Sequence, residues 1–251
     1  MNQEEQWLLE EKYNGKKSKG FFCDLELLRN GTPLAYLIGS IPFLDCAIYI
    51  DSHPLIPRVE TEYWTEKAIE SVRTYVRDYE RKYVAVLDLC AGSGAIGVAV
   101  AKAIPETHVT FGEIDLTHLP TIQKNLTQNT IAVNRYSLVE SDLFEKIPGE
   151  KKYEFILTNP PYIDPAVDRA EKSVKLHEPD LALYGGVEGM ECIQKIIAQD
   201  PAYLTTNGQL WIEHEPEQSK SIQILAQTHG YMCATHRDQY AVERYSILVL
   251  Q

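Results

Sequence analysis

The sequence predicts an α/β fold built on one mostly parallel sheet. From residue 83 to the end of the 251-residue chain, strand-like runs alternate with helix-like runs, the pattern of a parallel sheet covered on both faces. The run 83–88 is almost continuously apolar, as expected for a strand buried on both sides. Only the short connection 238–240 separates the last two strand-like runs, which predicts one antiparallel pair at the end of the chain.

The elements follow in order. Residues 2–30 are predicted to be helical, with a Lys-rich break near Gly15. The runs 41–43 and 47–50 predict a β-hairpin, and a helix is expected over 60–81. We therefore divide the chain into an N-terminal unit, 1–57, and a sheet domain, 58–251. In that domain the predicted strands are 83–88, 107–113, 135–140, 153–158, 208–214, 230–236 and 244–250, and the predicted helices are 94–103, 116–128, 187–198 and 217–228.

Composition narrows the classes of function. The formal net charge is −12, which argues against tight binding to a nucleic acid backbone, because such binding depends on Lys and Arg. The five cysteines are scattered and suggest neither a metal site nor a disulfide framework. No apolar run approaches the ~18 residues of a spanning helix, and the acidic N-terminus lacks a signal-peptide pattern. The chain is expected to be a cytoplasmic, monomeric protein without membrane partners.

A glycine turn follows the first strand of the sheet domain. Cys90-Ala91-Gly92-Ser93-Gly94 leads from that strand into an apolar helix. Glycines let a ligand approach the backbone, and a helix N-terminus offers free N–H groups. Glu113 ends the next strand roughly 20 residues later, where an acid can hydrogen-bond the hydroxyls of a ribose. Without the turn, Glu113 would be interpreted as a solvated strand end.

The tetrad Asn159-Pro160-Pro161-Tyr162 follows the strand-like run 153–158. The prolines have a fixed φ and no N–H, so their carbonyls and the Asn amide oxygen are rigid acceptors. Two such acceptors can hold an NH2 group by its hydrogens and leave the nitrogen lone pair facing an electrophile, beside the Tyr162 ring. The tetrad therefore favours transfer of a carbon group to a planar nitrogen. The alternative is a rigid loop without chemistry.

Together these stretches resemble the class I S-adenosylmethionine-dependent methyltransferases, which have a Rossmann-like seven-stranded sheet. Within that class the chain is similar to the protein-(glutamine-N5) methyltransferases of peptide chain release factors. The tetrad alone also occurs in DNA adenine-N6 and RNA guanine-N2 methyltransferases, and its combination with the stretches 33–39 and 55–58 is more specific. The stretches that carry the resemblance are 31–39, 55–62, 88–94, 141–144, 159–163, 178–179, 182–183 and 185–186.

The resemblance implies roles for individual residues, no metal, and methyl transfer to the glutamine of the Gly-Gly-Gln loop of a release factor. The implied cofactor residues are Asp88, Cys90, Ala91, Gly92, Ser93, Gly94, Glu113, Asp142, Leu143 and Asn159. The implied catalytic residues are Asn159, Pro160 and Tyr162, and Pro161 and Arg58 join them on the substrate side, with Glu60 and Thr61 nearby. A plainer interpretation of Arg58 is an ion-paired helix start with Glu60 and Glu62.

The chain also departs from the family pattern. Cys90 replaces the first glycine of the turn, and we interpret it as a small filler residue rather than a reactive thiol. His214 and His177 are candidate bases, but displacement at an activated methyl group requires none. The family usually has a longer helical domain before the stretch 33–39. Two alternatives stay open: a methyltransferase for an exocyclic amino group of a nucleic acid base, and a non-catalytic S-adenosylmethionine-binding protein.

Overall fold

The computed structural model describes residues 1–167 and 171–251. In these residues the strands are β1 (Ser40–Phe43), β2 (Cys46–Tyr49), β3 (Val84–Leu89), β4 (Thr107–Glu113), β5 (Tyr136–Glu140), β6 (Tyr153–Thr158), β7 (Leu204–Glu213), β8 (Tyr231–Arg237) and β9 (Glu243–Leu250). The α-helices are α1 (Gln3–Trp7), α2 (Lys19–Arg29), α3 (Leu34–Ile38), α4 (Val59–Asp78), α5 (Ala95–Ala103), α6 (Leu119–Gln128), α7 (Lys172–His177), α8 (Asp180–Leu183), α9 (Glu191–Gln199) and α10 (Ser219–Thr228).

Seven strands form one sheet in the order β5-β4-β3-β6-β7-β9-β8. Strand β9 is antiparallel to both of its neighbours, and the other pairings are parallel. The predicted mostly parallel sheet with one antiparallel strand is therefore confirmed. The chain order reverses between β3 and β6, and in open α/β sheets a crevice for ligands forms at the carboxyl ends of the strands at such a point.

The central strand β3 explains why the sheet is covered on both faces. All of its residues are buried, and alternate side chains of a strand point to opposite faces. Val84 and Val86 pack into one apolar cluster with residues of α4, α5 and α6. Leu87 and Leu89 pack into a second cluster with residues of α9 and α10. Burial of each such side chain contributes about 1.5–3 kcal/mol to the stability of the fold. The helices on both faces therefore hold β3, and with it the carboxyl end of that strand, in place.

The N-terminal unit is less uniform than predicted. Leu8 and Leu9, which directly follow α1, share a separate apolar cluster with residues of α2 and α3, including Phe21 and Leu25. The β1–β2 hairpin instead packs into the main core. The Asn125 side chain of α6 fixes it there: its Nδ2 donates to the Tyr49 carbonyl at 2.9 Å, and its Oδ1 accepts from the Tyr49 N–H at 2.7 Å. The domain boundary at residue 57 stays a prediction.

Three regions differ from the predicted elements. Helix α3 was not predicted, since only the hairpin runs 41–43 and 47–50 were expected between residues 31 and 57. No element was predicted between residues 159 and 186, where the structure has the short helices α7 and α8. Strand β7 begins at Leu204, before the predicted start at residue 208, because Leu204 already pairs with Tyr153 of β6. The register then shifts at an irregular stretch that contains Asn207 at φ +62°, and regular pairing resumes at Gln209. None of the helices in the described ranges is both long and apolar enough to cross a membrane.

Candidate active site

A cavity of about 390 Å³ opens at the carboxyl ends of β3, β4 and β6, within the ~300–1,000 Å³ usual for small-molecule sites. Its position is the crevice that the strand order predicts. Seven of the predicted site residues line its wall: Cys90, Gly92, Glu113, Asp142, Leu143, Asn159 and Pro161. Residues from four separate stretches of sequence thus meet in one cavity.

Glu113 is the buried acid of this cavity. One oxygen, Oε2, accepts from the Gly92 N–H at 2.7 Å, and the other, Oε1, accepts from the Asp115 N–H at 2.8 Å. The side chain is therefore tied to the glycine turn on one side and to its own strand end on the other. A carboxylate has about four acceptor positions, so acceptor capacity remains for a ligand with two hydroxyls.

The glycine turn contributes only part of its length to the cavity. Cys90 and Gly92 line it, whereas Ala91, Ser93 and Gly94 do not. Gly94 has φ +78° and is the N-cap residue that precedes α5. A Cβ built there would lie 3.0 Å from Cγ2 of Ile122. Ala91, Ser93 and Gly94 thus belong to the turn but not to the wall of the cavity.

Asp88 also lies behind the cavity. Its Oδ2 accepts from the Gly97 N–H in the first turn of α5 at 2.8 Å, and the side chain is fully buried. Burial raises the pKa of this carboxyl well above its usual range. Its other oxygen has no hydrogen-bond partner among the described residues. The Asp88 side chain thus joins β3 to α5, and its assignment as a cofactor residue stays a prediction.

Cys90 adopts φ +60°, the conformation that the family's glycine adopts without strain. Its thiol lies beside the thiol of Cys192 in α9, and both residues line the cavity. The contact with Cys192 and burial raise the pKa of Cys90 well above its usual range. A raised pKa keeps a thiol protonated and unreactive, which supports the interpretation of Cys90 as a filler residue.

A smaller pocket of about 160 Å³ adjoins the cavity, and Asn159 lies on the wall of both. The other residues of the small pocket are Leu55, Arg58, Tyr162, Ile163, Val174, Ala182 and Leu183. The predicted substrate residues Arg58 and Tyr162 are thus brought together with Asn159. Pro160 lines neither space, although its neighbour Pro161 lines the larger one.

Arg58 is fixed by an acid distant in sequence. Its Nη2 lies 2.5 Å from Oε1 of Glu178, and the second oxygen of Glu178 accepts from the Ile56 N–H at 2.9 Å. The partner is therefore Glu178, not the adjacent Glu60 or Glu62. The Glu178 side chain is 2% exposed and that of Arg58 is 33% exposed, so Arg58 is tied to a buried carboxyl while its side chain remains partly exposed at the small pocket.

The buried Glu213 side chain accepts three hydrogen bonds next to the small pocket. Its Oε2 accepts from Thr61 Oγ1 at 2.7 Å and from Trp64 Nε1 at 2.6 Å, and its Oε1 accepts from the Tyr162 hydroxyl at 3.0 Å. Burial raises the pKa of Glu213, and the three donors oppose this rise. Burial and the nearby Glu213 carboxyl raise the pKa of Tyr162 well above its usual range, so this hydroxyl stays protonated.

The turn after Asn159 is held by close backbone approaches that the sequence analysis did not identify. A Cβ on Gly189, which has φ +65°, would collide with the Tyr162 carbonyl oxygen. A Cβ on Gly185 would collide with the Pro161 carbonyl. Gln218 donates from Nε2 to the Tyr162 carbonyl at 2.8 Å. Gly185 lies in the stretch 185–186 that carries the family resemblance, whereas Gly189 falls within the predicted helix 187–198, and the sequence pattern gave no signal for its contact.

The two candidate histidines lie outside both spaces. His214 is fully buried, with Nδ1 2.8 Å from the Glu215 carbonyl and Nε2 2.8 Å from Ser246 Oγ. Burial lowers its pKa to about 4, so it is a neutral core residue. His177 ends α7 and lines no described pocket. The described residues contain no cluster of side chains suited to a metal ion.

Further residues of the larger cavity were not predicted. Ile114 and Asp115 continue directly from Glu113, so the strand end itself could have indicated them. His118, which contacts Ser52 Oγ at 2.9 Å, and Ser141 lie farther around the wall. The opposite wall comes from the loop and helices after the tetrad: Pro179, Leu181, Ala182, Tyr184, Gly185, Gly186, Glu191, Cys192 and Lys195.

Comparison with known proteins agrees with this geometry. A family model described as the methyltransferase small domain matches residues 73–176. The ribosomal protein L11 methylase of Lactobacillus delbrueckii subsp. bulgaricus superposes with a TM-score of 0.57 at 16% identity, over 80% of this chain and 82% of that one. The likeness confirms the Rossmann-like methyltransferase fold.

Sequence relatives are more specific. The chain is 36% identical over 209 residues to the release factor glutamine methyltransferase of Rhodopirellula baltica, across 82% of this chain and 70% of the relative. It is 31% identical over 231 residues to the protein of the same name from Xylella fastidiosa, across 92% of this chain and 81% of the relative. The chain belongs to the release factor glutamine methyltransferase family.

Proposed function

We propose that this chain transfers a methyl group from S-adenosylmethionine to the side-chain amide nitrogen of the glutamine in the Gly-Gly-Gln loop of a peptide chain release factor. The observation that carries this proposal is the place of Asn159 on the wall of both spaces. The Asn159 carboxamide borders two spaces: a cavity whose size suits a nucleoside, and a pocket whose size suits a single side chain. The names of the relatives support the same reaction and target.

The residues of the larger cavity suit S-adenosylmethionine. Glu113 retains acceptor capacity for the two ribose hydroxyls. Ile114 and Leu143 offer apolar surface to a purine, and the exposed carboxylate of Asp142 can accept from its amino group. Cys90 and Gly92 would lie beside the methionine end. When bound, this cofactor supplies a sulfonium-activated methyl group.

The small pocket suits a glutamine side chain. Oδ1 of Asn159 would accept one amide hydrogen, and the ring of Tyr162 would lie beside the flat amide. The Pro160 carbonyl is the predicted acceptor of the other hydrogen, although Pro160 lines neither space as the chain stands. These acceptors strengthen as positive charge develops on the nitrogen, so they favour the transition state over the ground state. Holding the reacting atoms in line at about 3 Å can supply roughly 7–11 kcal/mol. No residue has to act as a strong base, in keeping with the positions of His214 and His177.

The proposed partner is a protein rather than a nucleic acid. A net charge of −12 favours basic protein surfaces over phosphate. The partly exposed side chain of Arg58 at the small pocket can contact backbone carbonyls of the bound loop. We assign the N-terminal unit, 1–57, to the substrate side. This target would place the reaction in the cytoplasm, and we expect the enzyme to act as a monomer.

The test is incubation of the chain with methyl-labelled cofactor and a purified release factor. A release factor whose loop glutamine is replaced by alanine is the matched control. We expect label on the first protein and none on the second. Equal labelling of both would refute glutamine as the target. Labelling of a nucleic acid instead would support the base-directed alternative.

A further inference from the structure

We propose that Thr61 and Glu213 are positioning residues that determine which end of the Asn159 carboxamide faces the substrate. The inference rests on the proposed function, since it concerns how the substrate amide is held. The two ends of a carboxamide have nearly the same shape, so its hydrogen-bond partners decide its orientation. The relevant partners here are all buried, and they form one connected network.

The first step concerns Trp64. An indole N–H can only donate, and it lies 2.6 Å from Oε2 of Glu213. That oxygen must therefore act as an acceptor. The Thr61 hydroxyl lies 2.7 Å from the same oxygen. The Tyr162 hydroxyl donates to the other oxygen of the carboxyl, Oε1, at 3.0 Å. Both oxygens of Glu213 therefore act as acceptors, and Thr61 donates its only hydroxyl hydrogen to Oε2.

The second step concerns Asn159. Because the Thr61 hydrogen is committed to Glu213, the Thr61 oxygen can only accept from Asn159. The end of Asn159 that lies 3.1 Å from Thr61 Oγ1 is accordingly the amide nitrogen, Nδ2. The amide oxygen, Oδ1, then becomes the end offered to the substrate. The order of donors runs from Asn159 through Thr61 to Glu213.

The third step is the consequence for the substrate. With Oδ1 presented, Asn159 attracts the NH2 group of an incoming amide and holds its nitrogen at the site. If the carboxamide were reversed, its own NH2 would face the substrate NH2, and the substrate would instead present its carbonyl oxygen. The network therefore selects the substrate pose in which nitrogen, not oxygen, lies beside the larger cavity.

Burial makes this selection effective. Thr61 is 3% exposed, Glu213 is 1% exposed and Trp64 is fully buried. Water has little access to supply a substitute donor or acceptor, and an unpaired polar group is costly in such surroundings. The tetrad alone would leave the Asn159 carboxamide free to turn.

Two substitutions of Thr61 separate positioning from packing. Thr61→Val keeps the volume and removes the hydroxyl, whereas Thr61→Ser keeps the hydroxyl and removes a methyl group. We expect Thr61→Val to lower kcat for methyl transfer by about 10- to 100-fold, with cofactor affinity unchanged. Thr61→Ser should retain kcat within about threefold of the unmodified chain, because a single lost methyl group at this site costs little. A role in packing alone would give the opposite order.

Two substitutions of Glu213 provide a second comparison. In Glu213→Gln the side-chain oxygen can still accept from Trp64 and Thr61, so the orientation of Asn159 and most of kcat should survive. Glu213→Leu removes the acceptor and should lower kcat as much as Thr61→Val does. Thermal unfolding of each variant shows whether it is folded. If Glu213→Leu does not fold, the comparison of Thr61→Val with Thr61→Ser tests the positioning role by itself.

The outcomes are distinct. If Thr61→Val transfers methyl groups as fast as the unmodified chain, or if Thr61→Ser is the more impaired of the two, the positioning role is wrong while the proposed function stands. If the unmodified chain itself does not label the release factor glutamine, the proposed function fails and this inference fails with it.

Discussion

Asn159 and Glu213 are connected through a single hydroxyl group, that of Thr61. The sheet makes this connection possible. Strands β6 and β7 pair in parallel with Thr158 opposite Ile212, so the next residue of each strand emerges at the same edge. Helix α4 passes over that edge and brings Thr61 between the two side chains. A residue of the tetrad and an acid distant in the chain thus become one unit.

Replacement of Asn159 by alanine tests the central acceptor. We expect Asn159→Ala to lower kcat by about 100-fold or more, the usual loss for a preorganised polar group that acts on the transition state. Cofactor affinity, measured by titration calorimetry, should change little because Glu113 is untouched. The exposed Asn134 offers a matched control, and Asn134→Ala should behave as the unmodified chain. Near-full turnover by Asn159→Ala would refute the assignment.

Glu113→Gln is expected to weaken cofactor binding. Hydrogen bonds to a charged group contribute about 1.5–3 kcal/mol, so the dissociation constant should rise roughly 10- to 100-fold. The amide NH2 would also face the N–H of Gly92 or Asp115, both of which need an acceptor. Glu140→Gln, at an exposed position opposite Glu113 on β5, is the control. Unchanged affinity of Glu113→Gln in calorimetry would place the ribose elsewhere.

Gly189→Ala tests how the tetrad is held in place. The added Cβ would collide with the Tyr162 carbonyl, so the loop must move and kcat should fall at least tenfold, in line with the cost of misplacing reacting groups. Gly230→Ala is the control, because Gly230 also has positive φ, +81°, yet a Cβ there would meet nothing within 4 Å. Both variants place an alanine at a positive φ and so share the backbone strain, whereas only Gly189→Ala also brings a Cβ into collision with the Tyr162 carbonyl. Equal activities of the two would show that the contact with Tyr162 is unimportant.

The buried Asp200 carboxyl is expected to make the free energy of unfolding depend on pH. This carboxyl is fully buried, and burial raises its pKa to about 8, above the ~3.9 of an unfolded chain. The folded protein therefore binds this proton more tightly than the unfolded chain does. Its contribution to stability is present below about pH 4 and is lost as pH rises through about 8, at up to roughly 1.4 kcal/mol per pH unit.

Asp200→Asn should remove this dependence. We expect the variant to have a flatter profile of unfolding free energy against pH, measured by urea denaturation, and to be more stable than the unmodified chain near pH 8. Asp45→Asn, at an exposed position, should leave the profile unchanged. A profile of Asp200→Asn parallel to that of the unmodified chain would contradict the raised pKa.

The sheet and the core of the site could be predicted because their signals are local. The apolar run of β3, the turn after it and the tetrad after β6 each lie within a few consecutive residues. The topology then brings Glu113 and Asn159 to the same edge, since the carboxyl ends of parallel strands meet there. The resemblance to a known family correctly indicated the fold and the reaction.

The supporting contacts could not be predicted, because they join distant parts of the chain. Thr61 and Glu213 are 152 residues apart, and Arg58 and Glu178 are 120 residues apart. Single-sequence patterns carry no information about such pairings. The short helices α7 and α8 have too few turns to show a period. The role of Gly189 depends on a backbone approach that becomes visible only in the folded chain.

A crystal structure of the chain with the demethylated cofactor product and a release factor would show how the substrate glutamine is held. We predict that the loop glutamine occupies the small pocket, with its amide nitrogen within hydrogen-bond distance of Asn159 Oδ1. That nitrogen should lie on the side of the larger cavity, in line with the cofactor sulfur. A glutamine outside the pocket, or one whose carbonyl oxygen faces the sulfur, would contradict the account.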